Sequence, residues 1–132
     1  MRYLYLDFET RSRADLRRVG AHKYAADPST EVVLAAWTTD GLVGSDGSQT
    51  IVHWRPSDDG ALDLLPGPPL YPALDAWKAY AADPRVTVVA HNAEFEREIL
   101  RQKFGIDVSP HRMRCTAALA ARHGLPRRLG AA

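Results

Sequence analysis

From Arg2 to Phe8 the chain reads as a β-strand, with aromatic and aliphatic residues throughout. Alternation sends Leu6 and Phe8 to one side and Asp7 and Glu9 to the other. A second apolar run, Val32 to Thr39, ends at the turn signal Asp40-Gly41, and a third strand is expected over Thr50 to Trp54. Three strands joined by short glycine-containing loops predict an antiparallel meander. Between the first two, Gly20 to Ala26 predicts a brief helix stopped by Asp27-Pro28. Leu74, Trp77 and Ala81 recur at helical spacing within Tyr71 to Ala82, after a loop rich in Pro, Gly and Asp over Pro56 to Pro72. Val86 to Ala90 is continuously apolar, as in a parallel strand buried on both faces. Asn92 is placed to cap a helix that runs to Phe104 and stops at Gly105. A short last strand at Arg112 to Met113 and a helix from Cys115 to His123 complete the pattern. Strand, crossover helix and buried strand predict an α/β domain with a mixed five-stranded sheet.

The 132 residues suffice for one domain with a single core. Lys and Arg number 17 and Asp and Glu 16, so any site for a polyanion must come from local arrangement rather than bulk charge. One cysteine excludes an internal disulfide and a multi-cysteine zinc site, and suits a reducing compartment. The longest apolar run, Val32 to Trp37, is too short to span a bilayer, and Asp7 and Glu9 interrupt the only candidate leader. The expectation is a cytoplasmic protein with no membrane partner.

Charge is concentrated where the first strand ends. Asp7 and Glu9 lie about 7 Å apart along one strand edge and repel each other unless a cation sits between them. A hard divalent ion such as Mg²⁺ or Mn²⁺ would meet that need; a solvated acidic turn is the alternative. Arg11, Arg13, Arg17 and Arg18 follow, either to meet phosphates or as a solvated basic turn. With about 100° per residue and Phe95 at zero, Ile99, Leu100 and Phe104 fall near 40°, 140° and 180°. Glu96 falls near 100°, inside that apolar arc, while Glu94, Arg97, Glu98 and Arg101 fall outside it. A carboxylate aimed at a core must be paired or bind a metal. Lys103, near 80°, is one possible partner; a site shared with Asp7 and Glu9 across the strand ends is the other. His91, at the mouth of the same helix, is either a satisfied turn histidine or a substrate contact.

Taken together, Leu6-Asp7-Phe8-Glu9-Thr10 and His91-Asn92-Ala93-Glu94-Phe95-Glu96 resemble the two leading motifs of the DnaQ-like (RNase H-like) DEDD 3′–5′ exonucleases. Asp7-Phe8-Glu9-Thr10-Arg11-Ser12, Asp15-Leu16, Gly20, Tyr24-Ala25, Arg114 to Ala120 and Gly124-Leu125-Pro126 are similar to the N-terminal proofreading domain of phage-type family A DNA polymerases. The resemblance runs from Met1 to about Leu129. It implies an RNase H-like sheet, three antiparallel strands then parallel ones, flanked by helices. It also implies a two-metal 3′–5′ exonuclease using Mg²⁺ or Mn²⁺ on single-stranded DNA 3′ ends, beside a polymerase domain or subunit. Asp7 would bridge both ions, Glu9 would bind the first and Glu96 the second. Thr10, through its backbone, and Asn92 would hold the terminal nucleotide, with Phe8 shaping its pocket and His91 touching substrate.

Two departures qualify this. Most of the superfamily has Asp where Glu96 stands, and the extra methylene carries the carboxylate roughly 1.5 Å further out. The superfamily also supplies a last Asp, preceded four or five residues earlier by a His or Tyr base, on a closing helix. Here the only later aspartate is Asp107, preceded at those distances by Gln102 and Lys103, neither of which serves as a base. The expectation is a single domain over 1–132, lacking the closing helix, whose activity is impaired. The alternative is a non-catalytic remnant that binds nucleic acid or associates with a polymerase. Cys115 stands where many relatives carry Asp and is expected as a small buried filler; Arg127 and Arg128 form a basic tail.

Overall fold

In the computed structural model, which describes residues 2–59 and 73–126, strand β1 (Tyr3–Arg11) is the centre of a five-stranded sheet. On one side it pairs antiparallel with β2 (Glu31–Thr39), which pairs antiparallel with β3 (Val52–Trp54). On the other it pairs parallel with β4 (Thr87–Ala90), which pairs parallel with β5 (Met113–Cys115). The order β3-β2-β1-β4-β5 is the expected mixed α/β sheet and is consistent with an RNase H-like fold. Helices α1 (Leu16–Ala26), α2 (Trp77–Ala82), α3 (Ala93–Phe104) and α4 (Thr116–Arg122) flank it.

The alternation of β1 decides which face holds the core. Leu4, Leu6 and Phe8 are buried and stand in register with Thr39, Trp37 and Ala35 of β2, while Tyr3, Tyr5, Asp7 and Glu9 are exposed on the other face. Ile99 and Leu100 of α3 and Trp77 and Ala81 of α2 pack onto the apolar face. Phe8, Trp54, Trp77 and Phe104 form an aromatic box with centroids 4.9–5.8 Å apart, mostly edge to face. Each such ring contributes roughly 1.5–3 kcal/mol by leaving water. Lys78 closes the box from outside, its ammonium 4.8 Å from the Trp54 ring and 2.7 Å from the Asp59 carboxylate.

Several boundaries differ from the pattern in the sequence, each for a local reason. β1 continues past Phe8 to Arg11 because its pairing with β2 resumes beyond an irregularity at Glu9/Thr10, and Arg11 then meets Glu31 at 2.6 Å. Helix α1 begins at Leu16 rather than Gly20, capped by the Asp15 side chain on the Arg17 N–H. Gly20 breaks it with φ 81°, a value glycine adopts without penalty. The α2 helix is shorter than predicted; Tyr71 and Pro72 fall outside the described residues, as does the loop from Gly60 onward and the tail with Arg127 and Arg128. Arg112 is not a strand residue. Its buried guanidinium donates to the carbonyls of Val86, Ala81 and Asp83, satisfying groups at the end of α2 and the approach to β4.

Parallel pairing between β1 and β4 stops at Tyr5 and Val89. Beyond it, among the described residues, β1 pairs as a strand only with β2, so its other edge from Leu6 onward has no strand neighbour. Into that opening the first turn of α3 is set.

Candidate functional site

Asn92 joins β4 to α3 in a left-handed conformation (φ 73°, ψ 58°), which Asn tolerates better than most residues. It occupies the expected cap position, but its side chain makes no capping hydrogen bond; that part of the expectation is corrected. The tight turn brings α3 back over the ends of the parallel strands, where α/β folds leave a crevice. Glu96, one turn in, is 2% exposed.

Its surroundings decide what Glu96 can do. Lys103 is not its partner, because the Lys103 ammonium donates to the carbonyl of Asp27 at 2.9 Å. The Oε2 atom is buried with no hydrogen-bond partner among the described residues. Burial pushes the carboxyl pKa up to about 8. The negative charge of Asp7 and the Cys115 thiol add to the rise, while the backbone amides of Glu96 itself and of Phe8 oppose it. Glu96 and Asp7 thus feel each other's charge across the open edge. A bare buried carboxylate there is costly, and it is relieved either by a proton or by a cation placed against Oε2.

Asp7 is exposed and opens onto the other face of β1 as well. It lines an open groove of about 280 Å³ with Tyr5, Ala36, Val89, His91 and Thr116. Asp7 and His91 therefore share one depression, and His91 Nδ1 lies 2.8 Å from the Thr116 hydroxyl. Glu9 is exposed, on the same side of β1 as Asp7. Among the described residues, no three or more His, Cys, Asp or Glu side chains are gathered to hold a metal ion. Two larger hollows, about 800 and 820 Å³, lie past the end of β1 around Arg11 and Glu31. Neither contains Asp7, Glu96 or His91, and size alone carries no chemistry.

The remaining expected site residues sit as follows. Phe8 is buried in the aromatic box; its ring faces away from Asp7 and Glu9, and its backbone N–H is what acts on Glu96. Thr10 is half-buried and its hydroxyl meets that of Tyr24 at 2.8 Å. Asn92 is exposed at the mouth of α3.

Two residues were not legible beforehand. Cys115 is half-buried rather than a plain filler, and its sulfur accepts from the N–H of Ala93 and of Ala118, each at 3.4 Å. Burial works against its thiolate, but the amides of Ala93, Ala118, Asn92 and Ala117 outweigh it and hold the thiol below its ordinary range. Glu98, expected on the solvent side, is buried and lies 3.0 Å from His22 Nδ1 on α1. The cause is that α3 packs on two fronts, the sheet and α1, whereas its own periodicity shows only the first.

The class of molecule is thus an α/β domain whose sheet order is that of an RNase H-like fold, with acidic residues at the open edge of its central strand. No family model matches the chain. Over 126 residues, 96% of its length, it is 33% identical to a DNA polymerase of Bacillus phage SP02. The matched part is 17% of that protein, so the chain spans about a sixth of the length of this relative. The similarity is consistent with a domain derived from a phage polymerase. Among the described residues, no helix is long and apolar enough to cross a membrane.

Proposed function

We propose that this chain is the 3′–5′ exonuclease portion of a phage-type DNA polymerase, acting on single-stranded DNA 3′ ends in the cytoplasm. The observation that carries the reading is the unpartnered, buried Oε2 of Glu96 set against the strand that bears Asp7. A buried acceptor of this kind beside a second carboxylate fits a divalent cation. Mg²⁺ is commonly held by only one or two carboxylates together with substrate phosphates, so a pair without a third gathered ligand is a sufficient donor set. Glu96 and Asp7 would hold the ions, Mg²⁺ or Mn²⁺, and Glu9 lies on the same face of β1 to join them.

When bound, two such ions supply neutralisation of the charge that builds on an in-line phosphoryl displacement. The residues of this chain do the positioning. Asp7 sits where the groove on the outer face meets the open edge of β1, so a strand end entering along Tyr5 and Val89 arrives at its carboxylate. His91 and Asn92 stand at the mouth of α3 to contact the terminal nucleotide, and Thr10 to contact it through its backbone. Glu96, dry and fixed by α3, would aim its acceptor from the opposite side.

The test is release of mononucleotides from labelled single-stranded DNA in Mn²⁺, for the unaltered chain and for Asp7→Ala. Release that is lost in Asp7→Ala supports the reading, and equal rates refute it. A second reading, a non-catalytic module that binds nucleic acid or a polymerase, is favoured by the lack of a three-ligand cluster among the described residues. It predicts strand binding in EDTA that is unchanged by Asp7→Ala and falls steeply with salt.

A further inference from the structure

The carboxylates of the proposed site ride on two elements that the sheet ladder does not tie together. From Leu6 onward β1 has lost its β4 neighbour, so the distance from Glu9 and Asp7 to α3 is not set by strand hydrogen bonds. Phe8 reaches α3 through its stacking on Phe104 and its N–H on Glu96, and a side chain of α1 bridges the two elements nearer the end of the strand. Tyr24 of α1 is 8% exposed; its hydroxyl meets the Thr10 hydroxyl at 2.8 Å, and its ring lies against Phe95 with centroids 5.8 Å apart. Thr10 follows Glu9 in the chain, and Phe95 precedes Glu96. Each end of the Tyr24 side chain is therefore one residue away from a candidate ligand.

The base of this strut is also held. The Tyr24 carbonyl accepts from the Thr30 hydroxyl at 2.6 Å and from the Asp27 N–H at 3.2 Å. The Lys103 ammonium, on α3, ties down the Asp27 carbonyl, and His22 meets Glu98 a turn away. The chain from Ala21 to Ala26 is thus a fixed block between the strand and the helix, set off from the first turn of α1 by the break at Gly20.

We infer that Tyr24 is a positioning residue, whose hydroxyl fixes the end of β1 against α3 and so sets the spacing between Asp7, Glu9 and Glu96 on which cation affinity depends. The inference rests on the proposed cation site. In this role the side chain acts through Thr10 and Phe95.

Mn²⁺ binding to the full chain, followed by electron paramagnetic resonance of the free ion, separates the two ideas. Binding that is absent in the unaltered chain, or unchanged by Asp7→Asn, overturns the cation site and this inference with it. With that site intact, Tyr24→Phe is expected to raise the Mn²⁺ dissociation constant about five- to tenfold, the scale of one lost hydrogen bond. Thr10→Val should give the same rise, the double variant no further rise, and Thr10→Ser, which keeps the hydroxyl, the original affinity. His22→Ala, which loosens α1 from α3 without touching Thr10, should leave the affinity unchanged and shows that a general loosening is not the cause. Tyr24→Phe binding Mn²⁺ like the unaltered chain, or an additive double variant, overturns the inference while leaving the cation site standing.

Discussion

Helix α3 carries two buried carboxylates two residues apart, and they have opposite circumstances. On the flank facing α1, Glu98 has a partner: His22 Nδ1 lies 3.0 Å away, with the His22 side chain 61% exposed. On the flank facing the open edge of β1, Glu96 has an oxygen with no partner, a second acid nearby and almost no water. Packing alone explains the first, since a buried polar group is tolerated once it is hydrogen-bonded. It does not explain the second, which the fold holds at a cost. An unrelieved acceptor kept dry beside another acid marks the place where a proton or a cation belongs.

The largest expected effect breaks the symmetry of the pair through pH. The folded-state pKa of Glu96, about 8, lies above the ordinary carboxyl value of 4.5, so the fold accommodates the neutral form. Its penalty is absent below the unfolded value, grows as pH rises through the folded value and is constant above it. Over that window the loss amounts to ~5 kcal/mol. Glu96→Gln should remove it. Urea unfolding at pH 9 without divalent ions should show the variant more stable by about that amount, and at pH 4 the two chains should agree. A parallel pH dependence in both would show that Glu96 is not the buried acid described.

On the other flank, Glu98→Ala should cost about 1–2 kcal/mol in the same unfolding experiment, little because His22 is mostly in water and readily rehydrated. Nuclease activity should be retained once the chain is folded. A loss of activity equal to that of Asp7→Ala, with stability intact, would place Glu98 in the site and erase the contrast.

The smallest effect tests the coupling across the open edge. Asp7→Asn removes one of the charges that raise the Glu96 pKa, so the Glu96 midpoint should move down by a part smaller than the shift due to burial. A midpoint that stays in place would mean that the two acids do not share a pocket.

How much of this was legible depended on whether the deciding contact lay within one element. Glu96 betrayed itself on a helical wheel because its own neighbours Ile99, Leu100 and Phe104 define the apolar arc it interrupts. The two-residue alternation of β1 likewise placed Asp7 and Glu9 on one face and Phe8 in the core, and the antiparallel-then-parallel sheet followed from strand spacing and the crossover helix. The helical wheel sends Glu98 to the solvent side because its burial comes from α1, where its partner His22 stands 76 residues earlier in the chain, and the periodicity of α3 does not record a second neighbour. The local pattern puts Arg112 in a strand, but its guanidinium gathers carbonyls from Ala81, Asp83 and Val86, a role set by three-dimensional proximity alone. Lys103 was a reasonable partner for Glu96 by angle, but Asp27 offered its ammonium a carbonyl.

The most direct measurement is the carbon-13 carboxyl titration of Glu96, followed by nuclear magnetic resonance with and without Mg²⁺. A midpoint near 8 is expected in the absence of the ion, falling markedly when Mg²⁺ is added, because the ion competes with the proton for the same oxygen. One midpoint in both conditions would contradict it.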